Sequence, residues 1–229
     1  MNGRLHTGEV SIPAAGGVLG GELHLPQGAN AVVVFAHGSG SSRFSPRNRF
    51  VARELQKLGL GTLLMDLLRG DEAESRRNVF DIELLASRLF EAHRWLSETA
   101  APRGLRIGYF GASTGAAAAL VAAATEPEKV HAVVSRGGRP DLAASWLPRV
   151  RAPTLLIVGE LDSPVVEWNE DALGLLRSEK KLVVVPGATH LFEEPGTLEA
   201  AAAHAGRWFA RYLLASEESR TDSHEARSA

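Results

Sequence analysis

The stretch Gly111-Ala112-Ser113-Thr114-Gly115 sets a serine between two glycines, after the strand-like run "RIGYF" and before the helix-like run "TGAAAALVAAA". A serine on a sharp strand-to-helix turn is the setting of an activated nucleophile, with its hydroxyl held clear of the chain. A serine hydroxyl attacks an acyl carbon only if a base takes its proton, and that base needs an acid to orient it. In this setting the partners follow in the order serine, acid, histidine. The segment "LLIVGELDSPV" places Asp162 just past a strand, and "LVVVPGATHLFEEPG" places His190 just past the next one. In an open parallel sheet the loops beyond the carboxyl ends of the strands share one edge, so Ser113, Asp162 and His190 can meet there. Glu160, Glu193, Glu194 and Asp141 compete with Asp162 for the acid's role, and Asp162 also fits as the cap of the helix after it. His37 ends a strand ahead of a glycine-rich turn and reads as structural.

The developing oxyanion of an acyl transfer needs N–H donors. The backbone N–H of Thr114 is one. The loop "HGSGSS" supplies the other, with Ser39 first and Gly40 second, because glycines there let the backbone turn its amides inward. Arginines recur along the same edge at Arg43, Arg47, Arg69, Arg136 and Arg139. Arginine grips a carboxylate in a two-pronged hydrogen bond, so Arg43 and Arg136 are candidates to bind an anionic group on the substrate. The plainer reading has these arginines solvated, or paired with Asp71, Glu72 or Asp141.

The elements that would position these residues alternate between strand and helix. "GEVSI" and "GGELHLP" read as an opening antiparallel pair, and "AVVVFAH" as a strand buried on both faces. A helix is expected from Pro46 to about Leu58, between a proline at its start and Gly59 at its end. "TLLMDLL" follows, then a polar loop to about Asn78, then Ile82, Leu85, Leu89, His93 and Leu96 at helical spacing. "RIGYF", "HAVVS", "TLLIVG" and "KLVVVPG" are four more strands. A last helix from about Pro195 to Leu214 stacks Leu198, Ala201, Ala205, Trp208 and Tyr212 on one face. This alternation predicts an α/β fold, a mostly parallel twisted sheet with helices on both faces. One domain is expected over residues 1–215, with residues 216–229 ("SEESRTDSHEARSA") reading as a disordered tail without apolar periodicity.

The bulk of the chain excludes several function classes. Its 229 residues carry a net charge of −2, which offers no basic face to nucleic acid. No apolar run approaches the roughly 18 residues of a membrane helix, and "MNGRLHTGEV" has no signal-peptide core, so the expected location is cytoplasmic. The absence of cysteine removes disulfides, thiolate metal sites and a Cys nucleophile. "GSGSSR" fails as a dinucleotide fingerprint at its third glycine, where Arg43 stands, and the chain has neither a Walker-type loop nor H-E-x-x-H.

His37-Gly38, Gly111-Ala112-Ser113-Thr114-Gly115, Asp162 and His190 together resemble the α/β-hydrolase pattern. The compact length, from about Glu22 to Leu214, is most similar to the dienelactone-hydrolase-like group. Dienelactone hydrolases use Cys as nucleophile, and this chain has Ser. The resemblance therefore implies a serine carboxylesterase acting on small esters or lactones through an acyl-enzyme on Ser113, with His190 as base and no metal or cofactor. It also implies activity that rises with pH as that base becomes neutral. The alternative is a catalytically degenerate hydrolase fold kept as a binding module. The connection "SRGGRPDLAASWLPRV" is too short for a large cap, and "RGDEAESRR" is too polar for a greasy lid. Short acyl esters without interfacial activation are the expected substrates.

Overall fold

A computed structural model describes residues 7–99 and 104–214, so the expected tail lies outside the described residues. Strands β1 (Gly8–Ala14) and β2 (Gly17–His24) form the antiparallel pair that the sequence suggests. They extend a sheet completed by β3 (Ala31–Ala36), β4 (Gly61–Met65), β5 (Arg106–Ala112), β6 (Val130–Arg136), β7 (Thr154–Gly159) and β8 (Lys180–Val185). The strand order is β1-β2-β4-β3-β5-β6-β7-β8, and every neighbouring pair from β4 to β8 is parallel. All six residues of β3 are buried, as a continuous apolar run in mid-sheet requires.

Helix α1 (Pro46–Lys57) starts where Ser45 accepts a hydrogen bond from the Asn48 amide and ends before Gly59. The expected polar loop contains two short helices, α2 (Gly70–Ala73) and α3 (Arg76–Val79), ahead of α4 (Ile82–Thr99). One four-residue turn gives no readable period, which is why the sequence pattern passes over both. Helices α5 (Thr114–Thr125), α6 (Ser163–Leu175) and α7 (Thr197–Phe209) complete the set, the last continuing as a wider turn over Ala210–Leu214.

Two cores flank the sheet. On one side α4 and α5 pack Leu85, Leu89, Leu96, Ala119 and Leu120 against Val32, Val34 and Tyr109. On the other, α1 and α7 pack Val51, Leu55, Ala205 and Phe209 against Val33, Phe35 and Phe110. Among the described residues no helix is long and apolar enough to cross a membrane.

The first core holds a titratable group. His93 is buried with its Nδ1 3.1 Å from the Tyr109 hydroxyl, and burial pushes its pKa down to about 4. A histidine held neutral by the fold lends stability at neutral pH that is lost as the pH falls from the unfolded value, about 6.5, toward 4. Acidification from pH 7.5 to 5.5 should therefore cost about 1 kcal/mol at this position. Chemical denaturation of His93→Gln at the two pH values should show a smaller loss than wild type, and an equal loss would contradict this.

Candidate functional site

Strand β5 and helix α5 meet at Ser113, whose backbone is strained at φ 52°, ψ −122°. The close approach at this turn explains one of the flanking glycines directly. A Cβ on Gly115 would lie 2.3 Å from the Ala36 carbonyl oxygen and 2.4 Å from that of His37. Any side chain there would push α5 off the end of β3. Gly38 is less tight but still close, since a Cβ on it would lie 3.0 Å from the Ser113 Cβ.

Asp162 and His190 meet as the strand order requires. His190 Nδ1 lies 2.6 Å from Asp162 Oδ2, with the Asp162 side chain 13% exposed. Although Asp162 occupies the N-cap position of α6, its side chain makes no cap hydrogen bond and is directed to His190 instead. The competing acids are engaged elsewhere. Glu160 accepts from the Gly187 amide, Asp141 pairs with Arg139, and Glu193 pairs with Arg47. Glu194 accepts from both the amide and the hydroxyl of Thr189, bonds that hold its carboxyl below its ordinary pKa. It thereby braces the loop that carries His190.

Ser113 and His190 converge on the same short segment after β6. The Ser113 amide donates to the Arg136 carbonyl (3.3 Å), and a Cβ on Gly137 would stand 3.6 Å from His190 Nδ1. Gly137 has φ 52°, a conformation that favours glycine, so it both turns the chain and leaves room for the imidazole. Among the described residues the Ser113 hydroxyl makes no hydrogen bond. Such contacts often form only when substrate is bound.

Thr114 is the first residue of α5, so its amide has no acceptor within the helix. The Ser39 amide donates to the Thr114 hydroxyl (2.9 Å), which ties the "HGSGSS" loop to the start of α5. Gly40 has φ 70° and open space around it. His37 is structural in a specific way. Its Nε2 accepts from the Leu67 amide (3.1 Å), which places the proton on Nδ1, 3.0 Å from the Gly38 carbonyl. Burial lowers its pKa and preserves this neutral form, which joins the loops after β3 and β4.

The two arginines singled out by type behave differently. Arg43 pairs with Asp66 through both its backbone amide and its guanidinium, and stacks on Phe44. Asp66 is not among the acids that the sequence reading named as partners. Arg136 is 6% exposed, with Nε and Nη1 buried and without a hydrogen-bond partner among the described residues. Its guanidinium lies 5.5 Å from the Phe192 ring, and burial together with the Arg47 charge lowers its pKa to about 10, so it stays cationic at neutral pH.

Beside this constellation lies a cavity of about 280 Å³. Gly38, Ser39 and Thr114 form its inner wall, and Leu67, Leu68, Ala73, Val79 and Leu85 supply apolar surface. Of residues 68–78, Leu68, Gly70 and Ala73 line the cavity. The charged side chains pair with one another, the buried Arg88 with Glu72 and Glu91, and Arg69 with Asp71 and Glu72.

The dienelactone hydrolase family model matches residues 19–214. A dienelactone hydrolase from Anabaena variabilis, solved by crystallography, is 57% identical with a TM-score of 0.87, covering 91% of this chain and 98% of that one. A Xanthomonas campestris α/β serine hydrolase described as lidless shares the fold at 21% identity and a TM-score of 0.75, covering 92% and 97%. A Mycobacterium tuberculosis protein named "Putative phosphoribosyl transferase" is 56% identical over 205 residues, 90% of this chain and 46% of that protein. The chain thus spans about half the length of that curated relative.

Proposed function

Given that the chain belongs to the dienelactone hydrolase family, we propose that it is a serine carboxylic-ester hydrolase working through an acyl-enzyme on Ser113. The observation that carries this reading is the 2.6 Å contact between His190 and Asp162, at the edge where the strained Ser113 turn also sits. In this reading the Ser113 proton passes to His190 Nε2 as Oγ bonds to the acyl carbon. The oxyanion takes the Thr114 N–H and a share of the Ser39 N–H, as in the three-centre bonds common at helix ends. The intermediate collapses by breaking the carbon–alkoxide bond, and His190 returns the proton to the departing alcohol. Water then repeats the sequence, adding its hydroxyl to the acyl carbon and restoring the Ser113 Oγ–H. Asp162 stabilises the imidazolium that forms at each stage.

Methanol competition tests for the covalent intermediate. Esters sharing one acyl group but differing in alcohol should give one constant ratio of methyl ester to acid, because all pass through the same acyl-enzyme. A ratio that changes with the leaving alcohol would contradict the reading. Absence of any turnover would favour the degenerate binding module.

Arg136 is the group we assign to an anionic part of the substrate, because a buried cation without a partner otherwise carries an uncompensated desolvation cost. Arg43 has its anion in Asp66, and the assignment passes to Arg136 alone. Charge-assisted hydrogen bonds are worth about 1.5–3 kcal/mol, so Arg136→Met should lower the kcat/KM preference for a carboxylate-bearing ester over its neutral analogue by roughly tenfold or more. Arg43→Ala should leave that ratio unchanged. A ratio unaffected by Arg136→Met would remove the assignment. The transferase name of the longer relative is not carried over, since the geometry here supports acyl transfer to water.

A further inference from the structure

The cavity beside the oxyanion loop has no part in the proton transfers described above, yet it is lined by Ser39 and Thr114, whose N–H groups that reading gives to the oxyanion. Its place follows from the strand order. Ser113 follows β5; the cavity is walled by segments that follow β3 and β4, on one side of it. Asp162 and His190 follow β7 and β8, on the other side. A departing alcohol must lie where His190 can return its proton to it, and so occupies the β6–β8 side. The acyl substituent is left with the β3–β4 side, where the cavity is.

We infer that this cavity is the acyl-binding pocket and that it selects an uncharged, apolar acyl group of medium size, longer than the short acyl groups the sequence suggests; the inference rests on the serine-esterase reading above. The chemistry of the walls supports the class. Leu67, Leu68, Val79 and Leu85 offer hydrocarbon. The carboxylate in the lining, Asp66, is already neutralised by Arg43. The size follows from the volume. At about 280 Å³ the cavity is nearly twice the roughly 150 Å³ that takes up a benzene, which gives room for the bulk of an octanoyl or phenylpropanoyl group.

The outer wall of the pocket is tied to its neighbours. Arg88, 3% exposed, pairs with Glu72 of α2 and Glu91 of α4, and donates to the Ala15 carbonyl in the β1–β2 turn. Arg69 donates to the same carbonyl and pairs with Glu72. The outer wall is thus clamped to both the hairpin and α4. This explains how two four-residue helices, too short to be stable alone, can form a fixed wall.

The test is a series of p-nitrophenyl esters from acetyl to dodecanoyl, and a second series of acetates with lengthening alkyl alcohols. Burial of one methylene is worth about 0.8 kcal/mol, so kcat/KM should rise up to about fourfold per methylene as the acyl chain fills the pocket, and stop rising near octanoyl. The alcohol series should show no comparable rise. Ala73→Trp, at the pocket rim, should lower the octanoyl-to-acetyl ratio at least tenfold, and Val18→Ser, exposed on β2, should not change it. A flat acyl series with steady acetyl turnover would overturn the pocket while leaving the esterase reading intact. A rise confined to the alcohol series would reverse the assignment. Absence of turnover with every ester would overturn the esterase reading and the inference with it.

Discussion

Replacement of Ser113 by alanine should lower kcat on an activated ester by about 10⁴- to 10⁶-fold, with the fold and thermal midpoint retained. The size of the effect follows from the covalent step, because no other group in the account bonds to the acyl carbon. His190→Ala should fall in the same range, since without a base the Ser113 hydroxyl remains protonated and a poor nucleophile. The two losses should not add. Once one member of the unit is missing, the other has nothing to act on, so the double variant should be no slower than the worse single one. Steady-state kinetics on the four proteins checks this, and a Ser113→Ala enzyme within tenfold of wild type would end the account.

Asp162→Asn is expected to lower kcat by about 10⁴-fold. The carboxylate 2.6 Å from His190 Nδ1 fixes which nitrogen carries the proton and stabilises the imidazolium formed during attack. An amide is uncharged, and its NH₂ favours the wrong tautomer. Glu160→Gln and Asp141→Asn, whose carboxylates bond to the Gly187 amide and to Arg139, should stay within about tenfold of wild type. Glu194→Gln should fall between the two groups, since Glu194 reaches the imidazole only through Thr189. Near-normal activity in Asp162→Asn with a large loss in Glu160→Gln or Asp141→Asn would move the orienting acid to that residue.

The candidate triad was legible in the sequence because each of its residues sits at a junction the sequence marks. Ser113 stands between a strand and an alanine-rich helix, while Asp162 and His190 each come directly after an apolar run. The choice among the acids was not legible, because Asp141, Glu160, Asp162 and Glu194 all lie along one sheet edge and only folded distances separate them. The strand order is not encoded in any local pattern, so the placing of cavity and histidine on opposite sides of β5 had to come from the fold. Burial separates the arginines in the same way. Arg136 looks like a strand running out into solvent, yet the Phe192 side of the His190 loop covers it. Arg43 looks available, yet Asp66 after β4 has closed on it. That Leu68 and Ala73 line a cavity was not legible, because charge dominates "RGDEAESRR" and Arg88, which pairs with Glu72 beside Ala73, is distant in sequence.

The central claim is that Ser113 carries the acyl group, and labelling with a fluorophosphonate followed by peptide mass spectrometry tests it most directly. The account predicts one adduct per chain on the peptide containing Ser113, absent from Ser113→Ala and formed far more slowly in His190→Ala. An unlabelled Ser113, or an adduct elsewhere that tracks the loss of ester hydrolysis, would contradict it.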